Sequence, residues 1–317
     1  MTDQRPLAER QAATLRELLD VLTLRPLGSA RIEVTGIDGE RSTSLGTEGA
    51  DVFEGASIKQ PHNRVFGGQV LAQALVASSL SLREEHPQRL PHSLHAYFMR
   101  AGDDTMPIRF VVERMRDGRS FSTRRVHAIQ HGRPILSLTA SFQDPAGGLD
   151  HQDPMPQVPG PDSLPSMNAV YDQYDVPQAK RLAERPFDHR YPAGDLAGPA
   201  REPGEAVQQV WVRMISEPVE DPYLRSALLA FVSDFSLLEP VLRRHGLAWG
   251  DRRLRPASLD HAMWFHRDVD PTQWMLYDQT SPSAQGGRGL GTGRFFTQDG
   301  RLVASVAQEG MMRVKGE

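Results

Sequence analysis

HGRPILSLTAS, residues 131–141, returns as DGRLVASVAQE, residues 299–309. Each begins with a turn-forming dipeptide, HG or DG, and continues as an alternating apolar run, the pattern of a hairpin turn leading into a strand. A second pair keeps nearly the same spacing: SLHAYFMR at 93–100 resembles SLDHAMWFHR at 258–267. Offsets of about 165 to 168 residues lie close to half of the 317-residue chain, so they mark a duplication and not a solenoid repeat.

The segments around these pairs recur in one order. In the first half, VFGGQVLAQALVASSLSL (65–82) carries the stripe Val70, Leu71, Ala74, Leu75 and Ser78 of a helix entered through Gly67 and Gly68. SLHAYFM, IRFVVERMRDG, SFSTRRVHAIQHG and RPILSLTASFQ follow as strands between 93 and 143. In the second half, VQQVWVRMI predicts a strand and PYLRSALLAFVSDFSLLEPVLRRHG (222–246) a helix. SLDHAMWFH, QWMLYDQTSP, GRGLGTGRFFTQDG and RLVASVAQEGMMR predict a second meander. A leading helix is expected over 7–22, from Leu7, Leu15, Leu18, Leu19 and Leu22, with early strands around RIEVTG. Residues 144–205 hold nearly half of the 24 prolines and read as a linker interrupted by a short helix around 164–184. The expected units are therefore residues 1–143 with the leading helix, a Pro-rich linker over 144–205, and residues 206–317. The fold class is α+β: two antiparallel sheets, each wrapped around a helix, with their open edges joined into one long sheet and the ligand between the halves.

Composition narrows the function. A net charge of -4 gives no chain-wide positive field for nucleic acid. With no cysteine, disulfides, thiolate metal sites and a Cys nucleophile are excluded, and any nucleophile is oxygen-based or water. The amphipathic, acid-containing N-terminus is neither a signal peptide nor a span, no 18-residue apolar run occurs, and the C-terminal VKGE lacks an SKL-type address. The cytoplasm is the expected location.

The two copies differ where chemistry would sit. Aligned by helical phase and strand pattern, Gly67 falls against Asp234 and Ala140 against Gln308. Ser258 and His261 fall near Ser93 and His95, so that position discriminates less. Asp234 shares its stripe with Ala227, Ala230, Phe231, Leu237, Leu238 and Val241 and points inward. In VASVAQEGM, alternation turns Ala304, Val306 and Gln308 to the helix-facing side. An inward carboxylate is costly unless it is hydrogen-bonded or functionally required. A structural hydrogen-bonding role, an N-cap of a fresh helix at Ser233 or Asp234, and catalysis all remain open on this ground. Under the last, an Asp, a Gln and a hydroxyl jointly orient a water for attack on an activated carbonyl.

Taken together, VFGGQVLAQAL, SLHAYFMRAGD, RDGRSFSTRRVHAIQHGRPI, TASFQ, SDFSLL, LDHAMWFHR and FFTQDGRLVASVAQEGMMR resemble acyl-CoA thioesterase II, the TesB family, over roughly residues 10–314. The resemblance implies a double hotdog fold and an acyl-CoA thioester hydrolase of lipid and fatty acid metabolism, forming a homo-oligomer (dimer or tetramer) and using no cofactor. It implies a catalytic set at Asp234, Ser258 and Gln308 that activates water directly, Ser258 standing where bacterial relatives often carry Thr. Phe66, Gly67, Gly68 and His261 are candidate substrate-binding residues. No metal is expected, since His261 and His266 lack a ligand signature such as HExxH. The glycines of QGGRGLGTG (285–293) read as a strand bend or hairpin before a coenzyme A contact, and Arg124, Arg125 and Arg288 as solvated strand-face residues. A hotdog-fold enoyl-CoA hydratase and a non-catalytic acyl-CoA-binding protein are the rival readings.

Overall fold

The computed structural model describes residues 5–30, 33–35, 41–43, 50–198 and 202–316. In chain order these form α1 (Leu7–Leu22), β1 (Arg25–Ala30), β2 (Glu33–Thr35), β3 (Arg41–Thr43), β4 (Ala50–Gly55), α2 (Gly67–Leu80), β5 (Leu90–Phe98), β6 (Ile108–Asp117), β7 (Phe121–Gln130) and β8 (Arg133–Gln143). The chain continues through α3 (Met167–Asp172), α4 (Pro177–Ala183) and β9 (Phe187–Arg190). The second half adds β10 (Val207–Met214), α5 (Pro222–Ser233), α6 (Glu239–Arg244), β11 (Leu254–Ser258), β12 (Asp260–Phe265), β13 (Met275–Gln285), β14 (Arg288–Thr297) and β15 (Leu302–Val314).

Apart from the small β2–β3 hairpin, the described strands build one 13-stranded sheet in the order β1-β4-β6-β7-β8-β5-β12-β15-β14-β13-β10-β9, with β11 beside β15. The run β4-β6-β7-β8-β5 is mirrored by β10-β13-β14-β15-β12, so the duplication appears as a two-fold-like order about the β5–β12 seam. That seam is antiparallel, from Asp260 opposite Tyr97 to Trp264 opposite Ser93. Each copy thus covers the edge its partner leaves open, as the repeated sequence leads one to expect.

Both helices pack on one face of this sheet. α2 is buried almost all round, because α5 covers the side the sheet does not. Its polar side chains are satisfied inside: Ser78 and Ser79 donate back to the carbonyls of Ala74 and Leu75, and Gln73 Nε2 donates to the carbonyls of Val21 and Ala56. The helices run antiparallel. The start of α5 meets the chain just beyond α2, where the Tyr223 hydroxyl donates to the carbonyl of Pro87 at 3.2 Å. At the other end, a Cβ on Gly68 would lie 2.4 Å from the carbonyl oxygen of Phe231. One continuous apolar core, from Leu71 and Leu75 to Ala227, Leu228 and Val306, runs beneath both copies.

Three expectations change. The helix expected over 222–246 is broken. α5 begins at the cap Asp221, with Pro222 next, and ends at Ser233, with Asp234 as its C-cap and not an N-cap. A turn then leads into α6, because Pro240 has no N–H to give the carbonyl four residues back and its ring would strike it. Second, Gly67 is not the counterpart of Asp234: it opens α2, whereas Asp234 closes α5, and the two are neighbours across the antiparallel pair. Third, residues 144–205 are more than a linker. β9 extends the sheet beyond β10, and α1 is clamped to the α3–α4 region by Arg10, which donates to Asp172 at 2.5 Å and Glu184 at 2.8 Å.

The strand register also corrects the comparison of copies. β5 sets Leu94 opposite Ala140, and β7 sets Arg124 opposite the same residue. In the second copy, β14 sets Gly291 opposite Gln308, and one step beyond the Ala262–Ala307 pair His261 lies beside Gln308. The row Arg124–Ala140–Leu94 therefore answers to Gly291–Gln308–His261. The counterpart of His261 is Leu94, not His95, which faces outward and is exposed. Arg124 is not solvated: it is fully buried, donating Nε to the Ser81 hydroxyl at 2.9 Å and paired with Asp117.

Gly291 is required by close approach. A Cβ there would fall 2.1 Å from the Leu237 carbonyl oxygen, within the turn that follows Asp234. We predict that Gly291→Ala lowers stability by about 1–3 kcal/mol, the usual cost of overpacking, as a reduced midpoint in urea unfolding at an unchanged slope.

Candidate active site

Three elements deliver the three expected residues to one point. The end of α5 holds Asp234, the end of β11 holds Ser258, and the inward face of β15 holds Gln308. Gln308 Nε2 donates to Asp234 Oδ1 at 2.9 Å and to Ser258 Oγ at 2.8 Å, and the Ser258 hydroxyl donates to Asp234 Oδ1 at 3.3 Å. Both amide hydrogens of Gln308 are thereby committed. Gln308 thus ties the carboxylate and the hydroxyl together.

Burial pushes the Asp234 carboxyl up to about 6, against the pull of hydrogen bonds from Gln308, the backbone N–H of Gly68 and Ser258. Asp234 as a whole is half-buried, and its carboxylate is surrounded by protein. Its Oδ2 faces the start of α2, where a Cβ on Gly67 would intrude to 2.6 Å. A side chain at 67 would displace the acid, so the pair of glycines brings the N–H groups of the first helical turn up to it.

Phe66 stands where α2 begins, half-buried and stacked on Phe235 with centroids 4.9 Å apart, its edge toward Phe231 at 5.3 Å. It lines the wall beside Asp234. Phe187 and His189 of β9 close on Phe235 from the other side, and the Arg185 guanidinium lies over the Phe235 ring at 4.5 Å. Sequence reasoning missed these four. The available signal was the alternation of Arg185, Phe187 and His189, hidden in a Pro-rich stretch read as linker.

His261 is not exposed, contrary to its expected place among substrate contacts. It is fully buried behind Gln308, with Nδ1 2.5 Å from Gln308 Oε1 and Nε2 2.9 Å from the Ser233 hydroxyl. Burial lowers its imidazole to about 4, so it is neutral. The glycines of 285–293 do not form a cradle: Gly286 and Gly287 make the β13–β14 turn with positive φ, and Gly289 and Gly291 lie under Val241 and Leu237. Arg288 pairs with Glu309 at 2.9 Å. Among the described residues no cluster of three His, Asp or Glu side chains is assembled.

The opposite end of the helix pair, where α5 begins, opens on a cavity of about 260 Å³ lined by His92, Arg225, Leu229, Phe265 and Arg267. In the first copy Ala140 and Leu94 stand at the strand positions that Gln308 and His261 hold in the second. The site is single.

The long antiparallel sheet with a helix pair on one face is the hotdog architecture. A "hot dog fold" protein of Alicyclobacillus acidocaldarius superimposes with a TM-score of 0.65 at 21% identity, over 94% of this chain and 98% of that one. Acyl-CoA thioesterase II TesB2 of Mycobacterium marinum does so at 0.71 with 38% identity, over 95% and 99%. The family profile described as "Acyl-CoA thioesterase" matches residues 182–311, and "Acyl-CoA thioesterase N-terminal domain" matches 57–143. Acyl-CoA thioesterase 2 of Haemophilus influenzae is 39% identical over 83% of this chain and 92% of its own length. Human acyl-coenzyme A thioesterase 8 is 39% identical over 84% and 85%. The chain belongs to the acyl-CoA thioesterase family.

A raised carboxyl also has a stability consequence. In the unfolded chain Asp234 releases its proton near 3.8, whereas the folded protein holds it to about 6, so the native state loses stability as pH rises through that window. Asp234→Asn is therefore expected to raise stability at pH 8 by on the order of 2 kcal/mol, and to have a smaller effect at pH 4, in urea titrations at the two pH values.

Proposed function

We propose that this protein hydrolyses acyl-CoA thioesters to free coenzyme A and a carboxylic acid, with Asp234 as general base and no covalent acyl-enzyme. The observation that carries the reading is the convergence of Gln308 and Ser258 on one oxygen of a desolvated carboxylate, which leaves the other oxygen facing the start of α2.

A water held by Asp234 and Ser258 gives a proton to Asp234 as its oxygen bonds to the thioester carbon. The oxyanion that develops is met at the start of α2 by the Gly67 N–H, since the Gly68 N–H is held by Asp234, and the helix dipole there favours negative charge. The carbon–sulfur bond then breaks, coenzyme A leaves as a thiolate, and the proton on Asp234 passes to solvent or to the thiolate. A base titrating near 6 suits this task, being ionised at neutral pH yet stronger than an exposed aspartate. The aromatic wall of Phe66, Phe231 and Phe235 offers the acyl chain an apolar surface. The enoyl-CoA hydratase and binding-protein readings have no observation in their favour.

The activity test is thiol release from a series of saturated acyl-CoAs. We expect kcat/KM to rise tenfold per pH unit up to a break at about 6 and then level. Asp234→Asn is expected to lower kcat by about 10²–10⁴-fold. Thiol release that survives this substitution unchanged would sink the mechanism.

We further propose a cytoplasmic homo-oligomer, dimer or tetramer. No described helix is long and apolar enough to cross a membrane. The outer face of the β5–β12 seam exposes Tyr97 and Trp264, an apolar patch of the kind that marks an interface. Sedimentation velocity is expected to give a species larger than one chain, and Trp264→Lys to shift it toward the monomer.

A further inference from the structure

We infer that His261 is a positioning residue for hydrolysis: its Nδ1–H holds the side-chain oxygen of Gln308 and so turns the amide N–H groups onto Asp234 and Ser258. The inference rests on the reading of Asp234 as the base.

A glutamine side chain can rotate by half a turn at its end with little change of shape, exchanging its oxygen for its nitrogen. One orientation serves an ionised Asp234, because a carboxylate only accepts hydrogen bonds. The other would set Gln308 Oε1 against Asp234 Oδ1, oxygen facing oxygen at the 2.9 Å now spanned by a hydrogen bond. The strand alone does not choose between them. What lies behind the amide does, and that is His261 Nδ1 at 2.5 Å from Oε1.

This contact is favourable only if Nδ1 carries the proton. A neutral imidazole has one N–H, so Nε2 must then accept. Its partner, the Ser233 hydroxyl at 2.9 Å, is able to donate. That hydroxyl also lies 2.9 Å from the carbonyl of Ala230, and it has one hydrogen to give. With the hydrogen on Nε2, every member of the chain Ser233, His261, Gln308, Asp234 is satisfied in one direction. With the hydrogen on the Ala230 carbonyl, Nε2–H becomes the donor, Nδ1 becomes an acceptor, and the amide turns its N–H groups away from Asp234. The tautomer of one buried imidazole thus decides whether the base is held in its ionised form.

The comparison of copies supports this independently. The first copy has Leu94 beside Ala140 where the second has His261 beside Gln308. A histidine needed only to fill the core has an apolar alternative in its own counterpart. The polar pair occurs together, in the copy that carries Asp234. Among titratable groups around Asp234, Tyr277 from β13 is also neutral, its hydroxyl donating to the Ser233 carbonyl at 2.9 Å. Among the described residues, the hydrogen bonds to the Asp234 carboxylate come from Gln308, Ser258 and the Gly68 backbone, none of them charged.

The test uses two substitutions and one spectrum. His261→Asn sets an amide N–H near the place of Nδ1 and preserves the donor, whereas His261→Leu copies the first repeat and removes it. We expect His261→Leu to lower kcat by roughly 10–100-fold with KM little changed. Its acid limb should move upward by roughly half a pH unit, because Asp234 loses a hydrogen bond that favours its charged form. His261→Asn is expected to keep the wild-type limb and most of kcat. In the wild-type protein, long-range ¹⁵N–¹H correlation at pH 7.5, assigned by its loss in His261→Asn, should show a protonated Nδ1 and a bare Nε2.

A protonated Nε2 overturns the inference, and so does a His261→Leu protein with wild-type kcat and limb, or equal losses in the two variants. The spectrum decides the matter even if His261→Leu does not fold. Failure of the underlying reading looks different, since Asp234→Asn would then retain activity whatever His261 does.

Discussion

The structure turns on a carboxylate placed where two antiparallel helices meet end to start. Asp234 closes α5 against the glycine pair that opens α2, which brings a helix N-terminus and an acid into contact. Removing that group from water is unfavourable. Three hydrogen bonds, from Gln308, Ser258 and the Gly68 backbone, offset part of the cost and leave a base stronger than an exposed aspartate. The sheet, the seam and the glycines of β14 can each be understood as what lets this contact form.

A duplicated fold offers two such meeting points, and only one is furnished. Between the copies the row across three strands changes from Arg124–Ala140–Leu94 to Gly291–Gln308–His261, and each change has a packing reason. Glycine at 291 lets the Leu237 carbonyl approach the sheet, which sets the turn after Asp234. Arginine at 124 does the reverse, filling that space and reaching Ser81. The first copy thus spends its row on stability, and the second on a polar pocket.

Much of this was legible in the sequence. Period-two alternation and the half-chain offset give the strands, the two copies and the joined sheet. Alternation in VASVAQEGM turns Gln308 inward, and the helical stripe does the same for Asp234. Ser258 depended on resemblance, since a hydroxyl at a strand end has no periodic signature. Two features were hidden for physical reasons. The apolar stripe of LLAFVSDFSLLEPVL continues through the break at Asp234, because a tight turn on the core stays apolar, and only Pro240 signals the interruption. Likeness of residue type sets His261 against His95, yet register is fixed by pairing, and a slip of one residue exchanges the faces of a strand. Leu94 and His261 face the core, while His95 faces solvent.

The choice of a neutral amide between His261 and Asp234 follows from what the acid has to do. A histidine or arginine placed directly against Asp234 would stabilise the carboxylate so well that its affinity for a proton would fall below that of an exposed aspartate. A carboxylate with apolar neighbours alone would keep its proton at neutral pH. Gln308 and Ser258 supply hydrogen bonds without net charge, so the acid titrates near 6 and is ionised at neutral pH, as the proposed base requires. His261 can orient the amide from behind for the same reason, since burial keeps it neutral and it contributes a hydrogen bond but no field. Base strength and base geometry are thereby set by different residues, the first by burial at the helix junction and the second by a chain of neutral donors.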